Sequence, residues 1–108
     1  MSRFVVLDHA AISASEQMQK SEDAGQAEMQ AWMAWAQKVG PALVDMGAPL
    51  GETATVPATG GGSTASTAVG YSILEAPDLS TAAALMEGHP HLRIGTIQIH
   101  QAIAVPGM

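Results

Sequence analysis

The side chains able to do chemistry in this chain are few, and they fall into three places. Asp8-His9 sets a carboxylate beside an imidazole just after a short apolar run; His89 and His91 flank Pro90; His100 lies in an alternating stretch near the end. Imidazole has an ordinary pKa near neutrality, so each histidine can give or take a proton, and a carboxylate nearby extends that range. His100, Asp8 and His9 therefore form the candidate acid–base set; the plain alternatives are a hydrogen bond across a dimer interface for His100 and a strand-terminating turn for Asp8-His9. His89 and His91, two apart on an extended segment, would point the same way and could hold a ligand. A metal would need a third ligand, and Glu87 is the only carboxylate close by, so no metal is expected. The plain alternative for that pair is an exposed helix-end turn, where the helix dipole favours a histidine. Asp45, at the expected end of a long helix, is electrostatically out of place there, which marks it as a ligand-binding candidate.

Several familiar chemistries are absent from the sequence. There is no cysteine, which excludes a disulfide scaffold, a thiolate zinc site and a thiol nucleophile. Gly60-Gly61-Gly62 lacks the lysine and the helix start of a phosphate loop, and no nucleophile-elbow, dinucleotide-fold or zinc-protease pattern occurs. No cofactor is expected. Four Lys+Arg against ten Asp+Glu leave a net charge of −6, the wrong sign for nucleic acid or an anionic membrane. No apolar run approaches the roughly 20 residues that span a bilayer, and the N-terminus lacks the plan of a signal peptide. At 108 residues the chain is one domain, 1–108, and a soluble, cytoplasmic one is expected.

These groups need elements to position them. Phe4-Val5-Val6-Leu7 reads as a buried strand stopped by Asp8-His9. Residues 10–25 carry only Ile12 and Met18 as sizeable apolar groups and read as a loop with a weak helical turn. From Gln26, the spacing of Met29, Trp32, Ala36, Val39, Leu43 and Met46 predicts one face of a helix, broken or kinked at Gly40-Pro41 and ended by Gly47. Trp32 and Trp35 read as core or interface packing. Pro49 and Pro57 limit any strand between 48 and 56 to a short edge, and Thr59 to Thr64 reads as a hairpin turn. The next strand puts Thr67, Val69, Tyr71 and Ile73 on one side and Ser66, Ala68, Gly70 and Ser72 on the other. Asp78 or Ser80 caps a second helix with Leu79, Ala82, Ala83 and Met86 on its apolar face, ended by Gly88. The last strand sets Ile97, Ile99 and Ile103 against Thr96, Gln98 and His100, and residues 105–108 are a tail.

The order is β, α, β, β, α, β, which with right-handed crossovers gives an α+β, ferredoxin-like sandwich. Val69, Tyr71, Ile73, Ile97, Ile99 and Ile103 would meet the helices. The opposite face would then hold Ser72, Gln98, His100 and other small or uncharged residues. Water-facing sheets normally carry charges, so this face predicts a cover, most simply a second copy across a two-fold axis. Ser72 and Gln98 become candidate ligand contacts in the cleft so formed.

Trp32-Met33-Ala34-Trp35, the run Leu43 to Gly51, Gly70 to Ala76, Gly88-His89-Pro90-His91-Leu92 and Gly95 to His100 resemble, in order and across nearly the whole chain, the YCII-related family. The resemblance implies a dimeric α+β barrel, two ferredoxin-like sheets packed face to face around a cleft. It also implies kinship with small isomerases, a dehalogenase and monooxygenases. The family's acid–base pair uses a histidine early in the first helix, and this chain has none between residues 10 and 88. The Asp-Gly-Pro-Phe string of a sister branch is absent as well. Two functions follow. One is a homodimeric, cofactor-independent acid–base enzyme acting on a small organic molecule; the alternative is a non-catalytic dimeric ligand-binding or accessory module.

Overall fold

In a computed structural model that describes residues 1–17, 21–62 and 65–107, the strands are β1 (Ser2–His9), β2 (Leu43–Pro49), β3 (Ala68–Ala76) and β4 (Thr96–Gln101). Helices α1 (Ala14–Gln17) and α2 (Glu22–Val39) lie between β1 and β2, and α3 (Leu79–Ala84) lies between β3 and β4. Met18, Ser63, Thr64 and Met108, which figure in the expected helical turn, hairpin turn and tail, lie outside the described residues. The strands form one antiparallel sheet in the order β2-β3-β1-β4. This α+β arrangement is compatible with the ferredoxin-like sandwich.

Local chemistry accounts for the helix limits. The Ser21 hydroxyl accepts a hydrogen bond from the Ala24 amide at 3.2 Å, and Glu22 and Asp23 sit at the positive end of α2. Gly40, at φ +66°, ends the helix, and Pro41 opens a single 3-10 turn over Gly40–Ala42. The Asp78 carboxylate caps α3 by accepting from the Thr81 amide at 2.8 Å, and the Thr81 hydroxyl together with that amide lowers its pKa from the ordinary value. Phe4 and Val6 from β1, Leu74 and Ala76 from β3, Trp35 and Val39 from α2, with Ala82 and Met86, form the buried core. Burying a side chain of the Phe4 or Leu74 class stabilises by about 1.5–3 kcal/mol. The Trp35 indole N–H donates to the Leu85 carbonyl at 3.0 Å, so its polar atom is satisfied inside that core.

Three expectations need correction. The helix ends at Val39 and does not run on to Met46. The left-handed Gly40 and the missing amide of Pro41 turn the chain, and Leu43–Pro49 pairs with β3 as an edge strand. Asp45 therefore sits on a strand, exposed, where its Oδ1 accepts from the Gly47 amide at 2.8 Å. The faces of β3 are also exchanged from Gly70 onward, whereas Val69 is buried as expected and borders the space under α2. Phe4, Val6 and Asp8 pair with Leu74, Ser72 and Gly70, so these six side-chain positions share the face beneath the helices. Tyr71 and Ile73 pair with Leu7 and Val5 and face the open side. Small residues lie under the helices because neighbours come close: a Cβ on Gly70 would stand 2.9 Å from Asp8 Oδ2. Within β4 the expected faces agree with the structure, Ile97 and Ile99 packing on the core and Gln98 and His100 pairing with Leu7 and Val5 on the open side. Ile103, expected to meet the helices as well, lies beyond the strand and is 81% exposed.

Candidate active site

Where β1 ends, α2 stands away from the sheet and leaves a cavity of about 530 Å³. Its floor includes Asp8, Gly70 and His91, its helix wall Glu28, Met29, Trp32 and Met33, and its far side Met46 to Pro49 on β2. Ala14 and Gln17 of α1 border the same space.

Two glycines make this floor possible. A Cβ on Gly95 would lie 2.0 Å from the His9 carbonyl oxygen and 2.8 Å from His91 Nε2, so only glycine lets the His91 ring lie against the end of β1. Gly70 clears the corresponding space beside the Asp8 carboxyl. On β2, Gly47 is left-handed at φ +77° and passes so close to the Tyr71 carbonyl that a Cβ would overlap it.

Asp8 is 5% exposed, and among the described residues its Oδ1 has no hydrogen-bond partner. Burial pushes this carboxyl above its ordinary value, opposed by the weaker attractions of His91 and His9. His91, 4% exposed, stands on the 3-10 turn Pro90–Arg93. Its Nε2 lies 2.8 Å from the His9 carbonyl. A carbonyl only accepts, so Nε2 carries the proton in the neutral ring and Nδ1 keeps its lone pair as a base. A carboxyl biased toward its acid form and an imidazole with a fixed basic nitrogen thus border one apolar space.

His89 supports this arrangement from behind. Its Nδ1 accepts the His91 backbone N–H at 3.0 Å, which ties the two histidines into one turn. Its ring lies 4.4 Å, centroid to centroid, from both the Trp32 and the Trp35 indoles. Burial and the neighbouring His91 lower its pKa to about 4, so His89 is neutral at pH 7. The histidines of this turn are buried, contrary to the exposed alternative for them.

The expected acid–base set is divided by the sheet. Asp8 lies on the helix side, and His9 and His100 lie on the open side. His9 Nδ1 is 2.9 Å from Thr67 Oγ1, and its Nε2 is 3.3 Å from Gln98 Oε1. Of the expected ligand contacts, His91 reaches the cavity and His89 lies behind it. Ser72 is buried on the helix face, Gln98 is on the open face, and Asp45 is spent on its own turn. Sequence reasoning missed the Met29, Met33 and Met46 wall and took Trp32 as packing. The signal for the floor was present in β1 itself: Phe4, Val6 and Asp8 alternate, so a carboxylate continues the core face.

Among the described residues, no group of three or more histidine, aspartate and glutamate side chains is placed to hold a metal ion. Among them too, no helix is long and apolar enough to cross a membrane. No protein-family model matches the chain, and no curated protein matches it.

Proposed function

We propose that this protein is a cofactor-independent acid–base enzyme that moves a proton on a small organic molecule bound in the α2–sheet cavity. The observation that carries the proposal is the unpartnered Asp8 Oδ1, buried beside His91 at the floor of an otherwise largely apolar space. A buried polar atom without a partner costs stability, of order 1–3 kcal/mol, and at Asp8, unlike the similarly unpartnered His89 Nε2, the residue borders a cavity whose ligand would offset that cost. In this scheme His91 Nδ1 takes a proton from carbon and Asp8 supplies one to oxygen. General acid–base contributions of this kind are typically worth about 10²–10⁴ in rate.

The test is deuterium incorporation from D₂O into a panel of small carbonyl compounds, followed by proton NMR. Wild-type protein is expected to exchange positions next to the carbonyl, and Asp8→Asn and His91→Gln to lose that ability. Binding without exchange in the wild type would assign the cavity to a non-catalytic ligand-binding module instead.

We also propose that two copies pair through the open faces of their sheets, as the resemblance to the YCII-related family implies, in a cytoplasmic setting. What supports pairing is the composition of that face. Val5, Leu7, Tyr71 and Ile73 form its centre, half-buried on the face opposite the core. Sedimentation equilibrium should give a dimer for the wild type and a monomer for Leu7→Glu; a wild-type monomer would remove the pairing.

A further inference from the structure

We propose that the cavity selects neutral ring compounds bearing one carbonyl oxygen, with the oxygen at Asp8 and the ring between Trp32 and the methionines, and discriminates against carboxylates of the same size. The inference rests on the acid–base reading above and extends it from the reaction to the substrate.

Two features of the cavity lead to this class. At the floor, Asp8 Oδ1 lacks a partner. A carbonyl oxygen is an acceptor and would receive the proton of the Asp8 carboxyl. A carboxylate ligand would have to give up its hydration in a space whose lining, among the described residues, holds no lysine or arginine to pair with it, which is the costly arrangement. Along the walls, Trp32 presents an indole and Met29, Met33 and Met46 present thioethers. Sulfur and aromatic rings attract each other, and unbranched methionines adapt to a ring of variable outline. Met29 and Met33 are 60% and 48% exposed, so the apolar surface bordering this one space is left for a ligand to cover.

The reaction balances without any further reagent. A C–H bond next to the carbonyl breaks and its proton moves to His91 Nδ1. The freed electron pair forms the C=C bond of an enol, while the carbonyl oxygen takes the proton of Asp8. Reversal in D₂O returns a deuteron to carbon, with no oxidation and no leaving group.

The experiment compares 2-tetralone with 2-naphthoate, which share a bicyclic body and differ in carrying a ketone or a carboxylate. Isothermal titration calorimetry at pH 7 should give a Kd at least tenfold lower for 2-tetralone. The Met29→Gln/Met33→Gln double variant should weaken 2-tetralone binding about fivefold. Equal or tighter binding of 2-naphthoate, or no binding of either, overturns the proposal. Deuterium exchange on bound 2-tetralone is read separately. Preferential binding without exchange above the uncatalysed background leaves the ligand class standing and removes the acid–base reading.

Discussion

Asp8 and His9 are adjacent in the chain, end the same strand and face opposite sides of the sheet. On the helix side, Asp8 is buried with one oxygen unpartnered, at the floor of a cavity walled by Trp32 and methionines. On the open side, His9 lies within hydrogen-bonding distance of both Thr67 and Gln98, so both ring nitrogens have neighbours. The difference is one of satisfaction rather than residue type. A titratable group that its own fold already satisfies has little left to offer a ligand, and one left short beside a largely apolar cavity does. We therefore propose separate work for the two faces of the sheet: chemistry under α2, and association on the far side.

The largest expected effect breaks the helix-side floor outright. Gly95→Ala forces a methyl group into the His9 carbonyl and the His91 ring and should cost about 3 kcal/mol, read by urea unfolding. An unchanged midpoint would mean that His91 is not held against β1.

The pH dependence of folding sharpens the comparison next. His89 has a folded pKa of about 4 against an ordinary 6.5. The unfolded chain therefore binds a proton that the folded one refuses as the pH drops from 6.5 towards 4, and stability falls over that window by about 3 kcal/mol. His89→Asn keeps an acceptor for the His91 amide but does not titrate, so its acid limb should be flatter. Identical limbs would place His89 in water.

Asp8 titrates with the opposite sign. Its folded pKa is raised, so its contribution is full below the ordinary value of 3.8 and is lost as the pH rises through the folded value. Asp8→Asn should gain stability relative to wild type between pH 4 and pH 7, measured by thermal unfolding at both. A difference independent of pH would contradict the burial of this carboxyl. Smaller still, Asp78→Ala removes the α3 cap, far from both faces' centres, and should cost about 1 kcal/mol with ligand binding unchanged.

Much of the scaffold is legible in the sequence. The order of elements, the Asp78 cap and the alternation of β4 all follow from local rules, because each depends on neighbours within a few residues. The failures lie where tertiary contact decides. Leu43 and Met46 continue a helical spacing, yet Gly40 and Pro41 hand them to a strand. In β3 the larger residues Tyr71 and Ile73 were given to the core, whereas a close neighbour, the Asp8 carboxyl, requires glycine at position 70. That exchange of faces also explains the division of the candidate site. His100 and Asp8 look like partners only if β1 and β4 present them to one side, and the register pairs His100 with Val5 instead. The burial of His89 and His91 is invisible in the sequence because nothing nearby announces Trp32 and Trp35 as neighbours of His89, or the His9 carbonyl as the neighbour of His91.

The most direct test sets the two faces against each other in one assay: deuterium exchange into 2-tetralone by wild type, Asp8→Asn and His100→Ala. The helix-side site predicts at least a hundredfold loss for Asp8→Asn and a rate within about twofold of wild type for His100→Ala. Exchange that survives Asp8→Asn and disappears with His100→Ala would place the chemistry on the open face and contradict the account.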